Sequence, residues 1–363
     1  MASSPTHRQY GLFKVCLLLL VTCACLDTAF AQIVDTPNTL YRIAGSPFGD
    51  SGMQDGLGPR AGFFFPSGLV KRNEQLWVVD RANHTIRQIQ PDGRVETPFG
   101  LGGSCGVHDG TKEDARFCSP VAIALDSKGF LYVTDSFGAT VRKILGGTVR
   151  TVAGVANICG ESDSLNKPSL CAPTGVAVDA DDNLYVADNS GRIRKFTVST
   201  GEARTIAGSA KTGCGSADGD GAASRFCFPK GLAIDPASGN LYVADTDNHT
   251  IRKVTPEGMV STVAGKAGES GSSDGTREAR FCFPQGIAVD GAGNLYVADT
   301  RNSMIRKITP DGLVSTLAGT PRANRTHLGS LPGTIASPIG IALIGDRRLA
   351  ITTENHEVLG INF

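Results

Sequence analysis

Aromatic residues make up only 6% of this 363-residue chain, and the one tryptophan, Trp77, stands at a strand position where other repeats carry tyrosine. Net charge is absent: 35 Lys and Arg balance 35 Asp and Glu, with no basic run. That removes the electrostatic footprint expected of a nucleic-acid partner or an anionic membrane surface. Histidines number six, and His84, His108, His249, His327 and His356 stand in unmatched contexts, without H-x-x-x-H or His–carboxylate spacing. No serine or cysteine nucleophile motif and no nucleotide or redox-cofactor motif occurs, so the expectation is no cofactor and no visible catalytic constellation. Beyond residue 31 no apolar run is long enough to span a bilayer.

What the chain has in quantity is turn chemistry, with 45 glycines and 18 prolines. Residues 284–319 set the pattern. Four short runs, Gly286–Val289, Leu295–Ala298, Ile305–Ile308 and Val314–Ala318, are separated by Asp-, Asn-, Pro- and Gly-containing turns. Such runs of Val, Ile, Leu and Tyr between turn residues read as strands joined by hairpins. The unit recurs. Aligned on L-Y-V-A-D, its aspartate falls at Asp80, Asp135, Asp188, Asp245 and Asp299, with gaps of 55, 53, 57 and 54 residues. A sixth, degenerate copy opens at Pro338–Ala342 and has Leu349–Thr353 as its second strand. Four strands repeating near 50 residues predict an all-β, six-bladed β-propeller of antiparallel blades. The sixth copy lacks an outer strand, whereas Thr39–Gly45 matches V-S-T-L-A-G and precedes the first copy. This strand is expected to complete the last blade and close the ring, leaving no long sheet edge.

The consensus P-x-G-[IL]-A-[VI]-D-x-x-G-N-L-Y-V-A-D-x-x-N-x-x-I-R-K-[IV] resembles the NHL repeat over nearly all of 39–363. It does so best in the fourth and fifth copies, and it weakens in the first, where Val70-Lys71-Arg72 replaces A-V-D. The resemblance implies a six-bladed propeller. It implies no single activity, because such repeats serve mostly as binding modules and in a few enzymes.

Residues 1–31 read as a cleaved secretory leader, with Arg8 and Lys14 before an apolar core and Ala29-Phe30-Ala31 as the cleavage signal, leaving 32–363 as the propeller. A secreted, extracellular chain is expected. Three cysteines leave with the leader. Cys105 and Cys118, Cys159 and Cys171, and Cys214 and Cys227 each bracket the loop from one blade's outer strand to the next blade's inner strand. In a secreted protein that spacing reads as three local disulfides, each contributing about 3 kcal/mol in the chain-entropy account. Zinc would need four nearby ligands per site, and the loops hold two sulfurs. Cys282 has no cysteine near Glu269 and Ser270 to pair with. It is either a buried thiol or a link to another chain.

The cysteine loops and the D-x-x-N loops share one rim, the top face, where binding by a rigid scaffold usually resides. Within the cysteine loops Asp-Gly is followed by Arg-Phe, at Asp109 to Phe117, Asp218 to Phe226 and Asp274 to Phe281. Arg116, Arg225 and Arg280 are therefore either a partial ring of cations for a carboxylate or sugar acid, or structural partners of nearby acidic residues. Phe117, Phe226 and Phe281 are expected to pack between blades. Asp80/Asn83, Asp245/Asn248 and Asp299/Asn302 are expected to bond their own turns, with His84 and His249 beside them as candidate binding residues. Asn83, Asn248 and Asn324 begin glycosylation sequons, of which Asn324 lies in the least repeat-like stretch. The leading functional expectation is a monomeric extracellular module binding a protein or carbohydrate through its top loops. The alternative is a metal-dependent hydrolase or lyase with one Ca or Zn ion at the central channel, since ligands assembled across blades leave no sequence spacing.

Overall fold

The computed structural model describes residues 36–363, apart from 161, 165–167 and 210–212, so the leader lies outside the described residues. Six antiparallel sheets stand around a central channel, and no α-helix occurs among the described residues. In the fifth blade Pro284–Val289 lines the channel, Leu295–Asp299 and Met304–Ile308 follow, and Val314–Gly319 forms the outer edge. The other blades keep this order. In the sixth, Pro338–Gly345, Arg348–Thr353 and Val358–Asn362 are completed by Thr39–Ala44, paired Thr39 to Asn362 and Leu40 to Ile361. The ring is thus closed by a strand from the other end of the chain, as expected. Two-residue strands at Gly56–Leu57, Gly110–Thr111 and Gly329–Ser330 add a fifth strand to the first, second and sixth blades.

The hydrophobic core is divided into six clusters, one at each junction between neighbouring blades. Strand side chains on both faces of a blade are therefore buried, which is why the strands are apolar almost throughout. Phe117, Phe226 and Phe281 are fully buried in these junctions, and Trp77 packs there beside Phe99.

Each of the first five blades also buries an arginine in its third strand: Arg87, Arg142, Arg194, Arg252 and Arg306 are the largest fully buried side chains. A charge in that place must be paired. Arg252 meets Asp245 at 2.7 Å and Asp218 at 2.6 Å, and its remaining bonds go to the Arg225 and Ala217 carbonyls. Arg306 repeats this with Asp299 and Asp274 at 2.9 and 2.6 Å, and Arg87 with Asp80 and Asp55 at 2.7 and 2.9 Å. Arg142 holds Asp109 at 2.6 Å and Asp135 at 3.3 Å. The guanidiniums lie over Phe63, Phe117, Phe226 and Phe281 at 4.9 to 5.2 Å. A β-bulge flanks each of the five arginines, shifting the outer strand's register there.

The outer carboxylate of each set also binds its own blade's outer strand, Asp218 accepting from the Thr262 N–H at 3.0 Å. The inner carboxylate accepts from the start of the inner strand, as Asp245 does from the Cys227 N–H at 2.8 Å. One guanidinium therefore staples the crossing loop to three strands of its blade. Burial, working against the arginine and the hydrogen bonds, raises Asp80, Asp245 and Asp299 to about 6 and Asp135 to about 7.

The sixth blade lacks this set. Thr353 and Leu359 stand where the register of the fifth blade has Asp299 and Arg306. Arg42 and Glu357 pair there instead at 2.5 Å, and the Thr326 hydroxyl donates to Glu357. The third blade has a D-to-R loop one residue shorter. Arg194 keeps Asp163, while Asp188 pairs with Arg192 at 3.3 Å.

Candidate functional site at the mouth of the central channel

The channel, about 100 Å³, is lined by three residues from each inner strand, the x-G-[ILV] of the consensus or its equivalent. Its walls touch backbone to backbone at the glycines. A Cβ at Gly175 would lie 1.9 Å from the Lys230 carbonyl oxygen, and one at Gly340 2.0 Å from that of Ser67. Five of the six inner strands thus converge on glycine, with Ala122 in the second blade, and the channel is too narrow for a folded element or a passing chain. At its top stand Ser67, Val121, Thr174, Lys230, Gln285 and Ile339. Lys230 is the one cationic side chain lining it among the described residues, and its Nζ donates to the Gln285 Oε1 at 3.2 Å. Burial lowers the Lys230 pKa, with Arg81 and Arg301 adding to the effect and Asp247 and Glu354 opposing it. Arg301 is drawn toward Glu354 at 3.6 Å, and Arg81 donates to the Ser119 hydroxyl at 3.3 Å.

One residue before each proline, the chain enters the inner strand through a left-handed conformation, at Phe65, Ser119, Ala172, Phe228, Phe283 and Ser337, with φ from 43° to 55°. The conformation belongs to the fold, because it occurs whatever the side chain. The residue there does not: three blades carry serine or alanine, and three carry phenylalanines that are 38–42% exposed. Phe48, Phe64 and Phe137 are exposed nearby, so every exposed phenylalanine among the described residues lies on the top face.

His84 and His249 stand in the loop between the second and third strands, and there the structure corrects the sequence reading: His356 occupies the matching place in the sixth blade. All three are left-handed, and each Nδ1 accepts the N–H of the next blade's rim residue, Ser119, Phe283 and Phe65 respectively. The rings of His249 and Phe283, and of His356 and Phe65, meet edge to face at 4.7 and 4.9 Å. The shortened turn of the sixth copy hid the correspondence.

Arg116, Arg225 and Arg280 are not gathered into a ring. Each folds its Nη1 onto carbonyls of its own loop, Arg116 on Glu113 and Ala115, Arg225 on Ala222 and Ser224, and Arg280 on Arg277 and Ala279. Arg280 also pairs with Glu269 at 3.0 Å. The acidic residues of these loops bind the strand arginines instead, a use the sequence reading missed. The signal was present: an arginine seven residues after the L-Y-V-A-D aspartate, in a strand buried on both faces. The D-x-x-N side chains likewise reach beyond their own turns. Asn83, Asn248 and Asn302 each bridge an aspartate to a carbonyl of the crossing loop, at Gly52, Gly215 and Gly271. With both Nδ2 hydrogens engaged, Asn83 and Asn248 offer no nitrogen for a glycan in the folded state, whereas Asn324 is exposed.

The six cysteines pair as the spacing requires, Cys105 with Cys118, Cys159 with Cys171 and Cys214 with Cys227. Cys282 is unpaired, and its thiol meets the side chain of Ser270, which stands in the place of the missing partner. Among the described residues no three His, Cys, Asp or Glu side chains converge as a metal-ligating group, and no helix is long and apolar enough to cross a membrane.

Comparison with known proteins agrees with this architecture. The NHL repeat family matches residues 170–196 and 226–254, and the Teneurin NHL domain matches 266–342. The chain is 30% identical over 281 residues to the chloroplastic protein SUPPRESSOR OF QUENCHING 1 of Arabidopsis thaliana, covering 72% of this chain and 26% of that protein. It is 26% identical over 303 residues to human NHL repeat-containing protein 2, covering 73% of this chain and 41% of that one. The chain thus spans less than half the length of these relatives. A solved structure of a Bacteroides thetaiotaomicron protein of unknown function matches at a TM-score of 0.70 and 24% identity, over 89% of this chain and 75% of that one, a likeness of fold.

Proposed function

This chain is an NHL repeat-containing six-bladed propeller, and from that premise we propose that it is a secreted binding module whose ligand site is the top face around the channel mouth. The observation that carries the reading is the contrast on that face. Positions that recur with the repeat are absorbed by contacts within blades and at their junctions, whereas Lys230, Gln285 and the exposed phenylalanines depart from the repeat and are left to the surface. A rigid ring with loops stapled by three disulfides presents such a surface without an ordering cost on binding. Disulfides also fit an oxidising compartment.

The test is capture of partners from extracellular fluid by the disulfide-intact protein. A second propeller, in which the rim residues Phe65, Phe228 and Phe283 become Ser and Lys230 becomes Gln, serves as the control. Partners retained by the first and lost by the second support the reading; equal retention, or none by either, overturns it. Metal analysis of the same preparation bears on catalysis. One tightly held Ca or Zn per chain would redirect the work to a hydrolase or lyase at the channel.

A further inference from the structure

The channel mouth is lopsided in a way that narrows the ligand. Going round the ring, the triplets that lead into the inner strands are Phe65-Pro66-Ser67, Ser119-Pro120-Val121, Ala172-Pro173-Thr174, Phe228-Pro229-Lys230, Phe283-Pro284-Gln285 and Ser337-Pro338-Ile339. The fourth and fifth blades therefore combine an exposed aromatic ring on the rim with a long polar side chain in the mouth, and the first adds Phe65 above a buried Ser67 whose hydroxyl donates to the Val121 carbonyl. His356, set between Phe64 and Phe65, and His249, against Phe283, extend that wall across the sixth blade. The second and third blades present only small or aliphatic side chains at the same positions.

A bulky residue is poorly suited to a left-handed backbone, at a cost of roughly 1–2 kcal/mol relative to glycine. Serine at two equivalent positions and alanine at another satisfy the same fold, so the fold does not call for phenylalanine.

Resting on the binding-module reading, we infer that the mouth takes a carboxylate of a polypeptide ligand on Lys230, with the ligand's apolar side chains against Phe65, Phe228 and Phe283. Three features choose this occupant. The cationic Nζ has one acceptor, Gln285, among the described residues, so it retains donors for an anion. Arg301 is drawn to Glu354, and Arg81 gives one N–H to the Ser119 hydroxyl, so Lys230 is the cation that lines the mouth itself, with Arg81 a second cation beside it. Two anions stand near Lys230: Glu354, which is drawn to Arg301, and Asp247, exposed and without an ion pair among the described residues, which opposes the ligand. The wall's exposed rings are phenylalanines, the His249 and His356 rings beside them hold their Nδ1 on rim N–H groups, and no tyrosine or tryptophan is exposed among the described residues. The wall gives apolar area without the polar edges that sugar hydroxyls use. The channel admits the carboxylate and stops the chain that bears it.

The test is selection of seven-residue random peptides, displayed with free carboxyl ends, on the folded disulfide-intact protein. Recovered peptides are resynthesised as acid and as C-terminal amide and titrated by calorimetry. We expect peptides rich in apolar residues with a terminal or side-chain carboxylate, the amide series telling which. Affinity should fall tenfold or more in Lys230→Gln, which places Gln285's side chain at the equivalent site, and in the Phe65→Ser, Phe228→Ser, Phe283→Ser variant. It should rise in Asp247→Asn. Thermal unfolding checks that each variant is folded. Peptides that bind the Lys230→Gln variant unchanged overturn the inference while leaving the binding module intact, as does retention of acidic glycans in place of peptides. If extracellular capture also yields no partner, the functional reading itself falls.

Discussion

The joints between strands and the mouth of the channel are built from the same repeat by opposite rules. At the joints an Asp–Arg–Asp set recurs in four blades, with contacts that agree to a few tenths of an ångström in most of them, and the third blade keeps its outer half, Arg194 with Asp163. At the mouth, residues at equivalent positions differ in size, polarity and charge, from Ile339 to Lys230. A residue that recurs with the unit serves the unit, and one that breaks the pattern on the surface is released to serve the molecule. The sixth blade sharpens the lesson. Its Asp and Arg are lost together, replaced by Thr353 and Leu359, because losing only one would leave a buried charge unpaired.

Breaking a joint should have the largest effect. Arg252→Ala strips Asp245 of its counter-ion inside the blade and is expected to cost about 3–5 kcal/mol, measured by denaturant unfolding. The paired change Asp245→Thr with Arg252→Leu, copying the sixth blade, should recover most of that loss. A double variant as unstable as the single one would mean that the guanidinium's carbonyl bonds, not its charge, dominate.

Ser270→Cys should complete a fourth bridge with Cys282, since the thiol already faces that position. The expected gain is about 3 kcal/mol. It is read as a higher unfolding midpoint and the loss of one alkylatable thiol in intact mass.

The joints also set a pH response. A carboxyl whose pKa is raised in the folded chain binds its proton more tightly there than when unfolded. Asp80, Asp245 and Asp299 at about 6, and Asp135 at about 7, therefore oppose folding as pH rises from about 4 through those values. Burial is outweighed at Asp109, Asp179 and Asp290 by hydrogen bonds, joined by Arg142 at Asp109 and Lys195 at Asp179, which hold them below the ordinary carboxylate range, and their contribution is lost only in stronger acid. The unfolding midpoint is expected to be higher at pH 5 than at 7.5 and to fall again below about 4. A midpoint that rises from pH 5 to 7.5 would contradict the assignment. The rim should matter least: changing Phe65, Phe228 and Phe283 to Ser is expected to shift stability by less than about 1 kcal/mol, since each is exposed and serine already holds the same left-handed backbone at Ser119 and Ser337.

The architecture was legible in the repeat period, the L-Y-V-A-D aspartates and the orphan strand at Thr39–Gly45, because hairpin patterning is local. Disulfide pairs were legible for the same reason. The joints were only half legible. Arg252 and Asp245 lie seven residues apart, but Asp218 reaches them from 34 residues away through a loop whose course no local rule gives. Arg225 follows Asp-Gly in the same loop, but its own task is to cap that loop. The mouth was hidden because Lys230 and Phe228 flank a proline at unremarked positions, and their meaning lies in how they differ from Val121, Ser119 and their other counterparts across the channel.

In this propeller recurrence marks structure and departure marks binding, a division of labour between the blades and their rim. It is tested most directly by measuring the unfolding free energy and the partner capture of one variant, Phe65→Ser, Phe228→Ser, Phe283→Ser, Lys230→Gln, beside the parent protein. Stability within about 1 kcal/mol of the parent with capture abolished is the predicted result. A loss of stability comparable to that of a broken joint, or capture undiminished, would contradict it.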